Sequence, residues 1–209
     1  MPDSRATGPV GHFPGAADVS RFDVVVVGAS AGGLKPLTLL LGLLPQDFPL
    51  PILVVMHVSK RSPGLLPTVL GWRCKLTVKW AEDMEALRAA TVYVAPPDRH
   101  LLISNGMTVQ LSSAERVNWW RPAVDALFHS AAAVCSDRTI AIVLSGALYD
   151  GAKGVAAVAS AGGITIAQDE ASAEFFDMPS AALDLGRADI AMSPAKMAEA
   201  LQILAAQRS

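Results

Sequence analysis

The chain has 209 residues, of which 52% are hydrophobic and 17% charged, and its formal net charge is −2. This length is enough for one domain with a sizeable core. The slightly negative charge, without a basic run, argues against nucleic acid as a partner. The longest apolar run, residues 37–44, is too short for a membrane span, which takes about 20 residues. Cys74 and Cys135 lack metal-ligand spacing, so we interpret them as core or incidental thiols.

Residues 1–21 are rich in glycine, proline and alanine, and this composition predicts a flexible tail or linker. They lack the positive start, apolar stretch and cleavage site of a secretory signal, which favours a cytoplasmic location without membrane insertion. Residues 22–209 are predicted to form the folded domain.

The first predicted strand begins with four apolar β-branched residues, Val24 to Val27, a pattern typical of a strand buried on both faces. Gly28, Gly32 and Gly33 then allow a sharp turn with Ser30 at its apex. Leucines at helical spacing from position 34 onwards predict a helix directly after this turn.

Two later strands repeat this pattern, one over residues 52–56 that ends at His57 and one over residues 139–144 that leads into a loop ending at Asp150. The Asn105-Gly106 step predicts a β-hairpin that joins residues 100–103 to 107–111. Further strands are predicted at 74–80, 91–95, 164–167 and 190–192, and helices at 65–70, 121–135, after residue 151, at 179–185 and from Ser193-Pro194 onwards. This alternation predicts an α/β fold with a doubly wound, mostly parallel sheet, helices on both faces and a hairpin, in a Rossmann-like three-layer arrangement.

Ser30, His57 and Asp150 each follow the carboxyl end of a predicted buried strand. In open sheets of this class, ligands bind beyond these strand ends, so the three side chains are expected to converge there. A hydroxyl, an imidazole and a carboxylate are the groups required for nucleophilic acyl transfer. Backbone N–H groups of the glycine-rich turn would stabilise the oxyanion.

Each feature also has a structural interpretation. The turn around Ser30 is compatible with a plain strand-to-helix turn or a phosphate-binding loop, His57 with a hydrogen-bonded structural histidine, and Asp150 with a turn or helix cap. The order Ser, His, Asp differs from that of α/β-hydrolases. A dinucleotide site is disfavoured because its fingerprint requires glycine where Ser30 stands. Patatin-like lipases are disfavoured because no glycine-rich oxyanion segment precedes the first strand.

The sequence closely resembles the catalytic domain of the chemotaxis protein-glutamate methylesterase family, CheB. The resemblance covers residues 22 to the terminal helix and is carried by these blocks: Gly28-Ala29-Ser30-Ala31-Gly32-Gly33, Met56-His57, Ala95-Pro96-Pro97-Asp98-Arg99-His100, Arg121-Pro122-Ala123-Val124-Asp125, Ser145-Gly146-Ala147-Leu148-Tyr149-Asp150-Gly151-Ala152 and Thr165-Ile166-Ala167-Gln168-Asp169-Glu170-Ala171-Ser172.

The resemblance implies a serine esterase that hydrolyses glutamate γ-methyl esters, and deamidates some glutamines, on methyl-accepting chemoreceptors or similar membrane signalling proteins. It implies no metal or cofactor. It assigns the catalytic triad to Ser30, His57 and Asp150. It places five further residues at the oxyanion site or along the site lining: Ala31, Gly32, Ala147, Arg121 and His100.

The chain departs from the family pattern at three places. Ala31 replaces the usual threonine, Ser145-Gly146-Ala147-Leu148 replaces Thr-Gly-Met-Gly, and Trp119-Trp120 stand where polar or basic residues are usual. The two tryptophans are interpreted either as the lining of a groove for a receptor helix or as core residues. Residues 1–21 are too few for the family's receiver domain, so we expect regulation to be absent or supplied by a separate receiver or regulatory protein. A degenerate binding module without turnover and an esterase of a small-molecule ester stay open as alternatives.

Overall fold

The computed structural model describes residues 21–57 and 64–207. The tail predicted for residues 1–21 lies, apart from Arg21, outside the described residues. The strands are β1 (Val24–Ala29), β2 (Ile52–Met56), β3 (Thr77–Trp80), β4 (Thr91–Val94), β5 (His100–Ser104), β6 (Thr108–Ser112), β7 (Thr139–Val143), β8 (Ile164–Gln168) and β9 (Ile190–Met192). The helices are α1 (Leu34–Gly42), α2 (Leu66–Gly71), α3 (Val124–Cys135), α4 (Ala152–Ser160), α5 (Asp177–Asp184) and α6 (Pro194–Ala205).

Seven strands form one parallel sheet in the order β3-β4-β2-β1-β7-β8-β9. Strands β2, β3 and β4 lie on one side of β1, and the later strands β7, β8 and β9 lie on the other side. The winding direction therefore reverses at β1, which confirms the predicted doubly wound sheet. β5 and β6 pair separately as the predicted antiparallel hairpin.

The sheet separates two hydrophobic layers. Val25 and Val27 of β1 pack into the layer with α1, α2 and α6, whereas Val24 and Val26 pack into the layer with α3, α4, α5 and the hairpin. All four valines are completely buried. The continuous β-branched run is thus explained by a strand that is covered on both faces.

Some element boundaries differ from the prediction. Helix α3 begins at Val124 and not at Arg121, because Ala123 is extended and the N–H groups of the next two residues donate to Asp150. Strand β3 begins at Thr77 and not at Cys74, since its partner β4 begins at the residue that pairs with Thr77. Helix α5 begins two residues before the predicted start.

Cys74 and Cys135 are both free thiols. Burial raises the pKa of Cys135 to about 11. Within residues 21–57 and 64–207, no helix combines the length and the apolar character needed to cross a membrane.

Candidate active site

The structure brings Ser30, His57 and Asp150 together at one edge of the sheet. Ser30 directly follows β1, His57 directly follows β2, and Asp150 lies in the loop after β7. These three strands are neighbours, so their carboxyl ends deliver the side chains to one place although 120 residues of chain separate the first from the last. All three residues are buried, with exposed fractions of 7%, 9% and 2%.

His57 connects the hydroxyl to the carboxylate. Its Nε2 lies 2.9 Å from Asp150 Oδ2, and its Nδ1 lies 3.2 Å from Ser30 Oγ. Because an ionised carboxylate only accepts hydrogen bonds, the ring proton belongs on Nε2, which leaves the Nδ1 lone pair directed at the serine hydroxyl. The two ring nitrogens therefore have the opposite assignment from the serine protease triad, in which Nε2 faces the serine.

Four donors surround the Asp150 carboxylate. Oδ2 accepts from His57 and from the Val124 N–H at 2.7 Å, and Oδ1 accepts from Asn118 Nδ2 at 3.0 Å and from the Asp125 N–H at 3.2 Å. Burial alone raises the pKa of Asp150, but the hydrogen bonds from His57, Asn118 and Val124 outweigh it and hold that pKa below its ordinary value. The carboxylate is thus kept ionised next to the imidazole.

A second buried carboxylate, Asp125, lies beside the first, and its part in the site was missed by the sequence interpretation. Its Oδ1 accepts from the N–H groups of Gly151 and Gly154 at the start of α4, and its Oδ2 accepts from Asn118 Nδ2 at 2.6 Å. Asp150 therefore binds the amino end of α3, and Asp125 binds the amino end of α4, which begins two residues after Asp150. Unpaired N–H groups at such helix starts favour negative charge. The sequence signals for Asp125 were its place in the Arg121-to-Asp125 block of the resemblance and its position near the start of a predicted amphipathic helix.

Asn118 was also missed, since it lies in an irregular segment without a periodic pattern. Its side-chain amide donates to Asp150 and to Asp125 at once. It is the side-chain link between the two carboxylates.

Ser145 holds the turn that carries Ser30. The Ser30 N–H donates to the Ser145 carbonyl at 3.0 Å, and Ser145 Oγ donates to the Ala31 carbonyl at 2.9 Å. Gly32 adopts a left-handed backbone with φ of +70°, and a Cβ there would lie 2.8 Å from Ser145 Oγ. These contacts explain why the turn needs glycine at this position.

Ala31 and Gly32 directly follow Ser30 in the chain, and Ala147 directly follows Gly146. A Cβ on Gly146 would lie 2.8 Å from the Ser30 Cβ, so the loop that contains Ala147 passes directly beside the serine. Among the described residues, no protein group accepts a hydrogen bond from the N–H of Ala31 or of Ala147.

His100 and Arg121 lie outside the hydrogen-bond chain of the triad. His100 is buried, donates from Nε2 to the Glu115 carbonyl at 2.9 Å and accepts from the Ala123 N–H at 3.3 Å. Arg121 forms an ion pair with Asp98 at 3.0 Å and donates to two backbone carbonyls of the segment before it. Both side chains fasten the segment that leads into α3.

The two adjacent tryptophans of that segment lie in different environments. Trp119 is 82% exposed and is not a core residue. Trp120 is half-buried, and its ring is stacked on the His57 imidazole with a centroid distance of 4.0 Å and an interplanar angle of 7°.

A groove of about 700 Å³ starts at Gly32, next to the nucleophile, and runs between α1 and α2. Its walls are mainly apolar and include Leu39, Leu43, Met56 and Val69. In the part of the chain that the structure describes, no three His, Cys, Asp or Glu side chains are grouped so that they could hold a metal ion.

Comparison with known proteins is consistent with this geometry. Residues 25–201 match the family model described as CheB methylesterase. A relative from Leptospira interrogans is 39% identical over 179 residues, which are 86% of this chain and 93% of that protein. The protein-glutamate methylesterase/protein-glutamine glutaminase 2 of Anaeromyxobacter dehalogenans is 40% identical over 188 residues, which are 90% of this chain and 55% of that protein. The crystal structure of the Thermotoga maritima CheB methylesterase catalytic domain superposes with a TM-score of 0.84 at 36% identity, covering 88% of this chain and 98% of that one.

Proposed function

Because the chain belongs to the CheB methylesterase family, we propose that it is a serine esterase that hydrolyses glutamate γ-methyl esters on signalling proteins, with Ser30, His57 and Asp150 as its catalytic residues. The observation that carries the proposal is the continuous hydrogen-bond chain from hydroxyl to imidazole to carboxylate, with links of 3.2 and 2.9 Å. A serine hydroxyl is a weak nucleophile, and such a chain activates it for attack on an ester.

In the acylation step, Ser30 Oγ forms a bond to the ester carbonyl carbon while its proton passes to His57 Nδ1. The carbonyl oxygen becomes an oxyanion, for which the unpaired N–H groups of Ala31 and Ala147 are the candidate donors. The tetrahedral intermediate then breaks its bond to the methoxy oxygen, which takes the proton from His57 and leaves as methanol. Asp150 stabilises the imidazolium that exists between these two transfers.

In the second step, water attacks the glutamyl-serine ester and gives a proton to His57. The bond to Ser30 Oγ breaks, the serine recovers the proton, and the product is a glutamate side chain. Glutamine follows the same route with ammonia in place of methanol, which accounts for the deamidation included in this proposal.

The proposed substrate is a methyl-accepting chemoreceptor or a similar membrane signalling protein that the enzyme meets in the cytoplasm. The names of the relatives support a protein substrate that carries methylated glutamate or glutamine side chains. The groove beside Gly32 supports it as well, since it offers an apolar surface next to the nucleophile for the polypeptide that carries the ester. We also predict a separate receiver or regulatory protein as partner. The division into a tail of residues 1–21 and a catalytic domain of residues 22–209 stays a prediction.

Methanol release from methylated chemoreceptor membranes tests the proposal. Wild type is expected to release methanol and Ser30→Ala to release none above background, with both proteins equally folded. Equal release by the two proteins would refute the assignment of Ser30 as the nucleophile. Labelling of Ser30 by a fluorophosphonate without any methanol release would instead indicate an esterase of a small-molecule ester. No labelling and no release would indicate a binding module.

A further inference from the structure

The strongest unexplained contact in the site is the stacking of Trp120 on His57. The two rings are nearly parallel, 7° apart, and their centroids are separated by 4.0 Å. Neither the hydrogen bonds of the triad nor the binding of the oxyanion involves this indole. It covers one face of the ring that must accept the serine proton.

The backbone around Trp120 is built to hold it there. Val117 and Trp120 exchange two backbone hydrogen bonds of 3.1 and 2.8 Å across a tight turn. The two residues within the turn, Asn118 and Trp119, have φ values of 48° and 71°. Asparagine tolerates this left-handed backbone, but it is unfavourable for tryptophan and persists at Trp119 only where the surroundings enforce it.

Three side-chain anchors enforce this turn. The Asn118 amide is bound to the two buried carboxylates, and Arg116 Nη1 donates to the Trp119 carbonyl at 3.4 Å. Arg121, which directly follows Trp120, forms an ion pair with Asp98. The indole of Trp120 is therefore fixed to the same structure that fixes the catalytic acid.

We propose that Trp120 is a positioning residue that sets the plane of the His57 ring and stabilises the imidazolium formed during acylation. This role rests on the proposed function. An aromatic face attracts a cation placed over it, so the stacked indole interacts more strongly with the charged ring than with the neutral one. Since that charge develops only as Ser30 attacks, the contact favours the transition state over the ground state.

The test uses a fluorophosphonate probe, whose phosphorus forms a bond to Ser30 Oγ as its bond to fluorine breaks, with the serine proton passing to His57. The inactivation constant kinact and the binding constant KI are measured separately. Trp120→Leu, which removes the aromatic face, is expected to lower kinact about tenfold and leave KI unchanged. Trp120→Phe, which keeps an aromatic face, is expected to retain kinact within about threefold.

Trp119→Leu is the matched control, because Trp119 belongs to the same turn but is exposed, and both of its constants are expected to equal those of wild type. If Trp120→Leu does not fold, Trp120→Met takes its place in the comparison. The role of Trp120 would be overturned, and the proposed function left intact, by any of three results. These are equal kinact in wild type and Trp120→Leu, equal losses in Trp120→Leu and Trp120→Phe, or an equal loss in Trp119→Leu. Failure of the probe to label wild-type Ser30 would overturn the proposed function and this role together.

Discussion

Asn118→Asp is the substitution that most directly tests how the buried Asp150 carboxylate is held. The change conserves the shape of the side chain and suits the left-handed backbone, which both residue types tolerate. It replaces an amide that donates to two buried carboxylates, at 3.0 and 2.6 Å, by a third carboxylate. A hydrogen bond to a charged group contributes about 1.5–3 kcal/mol, and two are lost. Because Asn118 is only half-buried, we expect a loss near the lower end, about 3 kcal/mol of unfolding free energy at neutral pH.

The pH dependence of this loss has a defined sign. The pKa of Asp150 is lowered in the folded protein, so its ionisation stabilises wild type above the ordinary carboxyl pKa, and this contribution is lost as the pH falls through the folded-state value. In the variant, the added carboxyl faces two others, so its own pKa rises and its protonation relieves the repulsion. The difference between variant and wild type should therefore be largest at neutral pH and shrink on acidification.

Urea unfolding at neutral pH and at about pH 4.5 measures this difference. Asn105→Asp makes the same chemical change at an exposed turn of the β5–β6 hairpin and is expected to alter the unfolding free energy by less than about 0.5 kcal/mol. A loss below about 1 kcal/mol at neutral pH, or one that grows on acidification, would contradict the argument that Asn118 holds the two carboxylates.

Two further substitutions test the geometry around the nucleophile. Asp150→Asn would turn an amide N–H₂ toward groups that are all donors, and should slow fluorophosphonate labelling of Ser30 by about 10⁴-fold. Labelling at more than a tenth of the wild-type rate would argue against a role for the negative charge of Asp150. Gly146→Ala would place a Cβ 2.2 Å from Met178 Sδ and 2.8 Å from the Ser30 Cβ. It should lower the unfolding free energy by about 1–3 kcal/mol in urea titrations and slow labelling, and a fully stable, fully reactive variant would refute this packing.

The sheet could be predicted from the sequence because its signals are local. The run from Val24 to Val27 is apolar on both faces, and only a strand between two helical layers buries both. The hairpin was indicated by the local Asn105-Gly106 step, although the turn comprises residues 105–107, with Gly106 and Met107 in the left-handed region. The start of α3 was misplaced because Val124 and Asp125 direct their N–H groups to a carboxylate from another part of the chain.

Ser30, His57 and Asp150 could be singled out because they follow strands, and strand ends can be located in a sequence. Their partners were not found for a physical reason. Asn118 and Trp120 lie in a segment with no period, and their contacts are with Asp150 and His57, which are 32 and 63 positions away in the chain. Only the folded packing of α3 against the loop after β7 shows which donor meets which acceptor.

The residues at which this chain departs from the family pattern lie beside Ser30, in the loop before Asp150 and in the turn that carries Trp120. Within residues 21–57 and 64–207, every hydrogen bond that Asp150 accepts comes from His57, Asn118 or the start of α3, and none comes from the side chains at positions 147 and 148. Ser145 Oγ donates to the carbonyl oxygen of Ala31, so the missing threonine hydroxyl does not affect that bond. Leu148 is 54% exposed. Trp120 is stacked on His57, and Ala31 and Ala147 carry the candidate oxyanion donors, so we expect this chain to differ from other family members in the rate of the chemical step as well as in substrate preference.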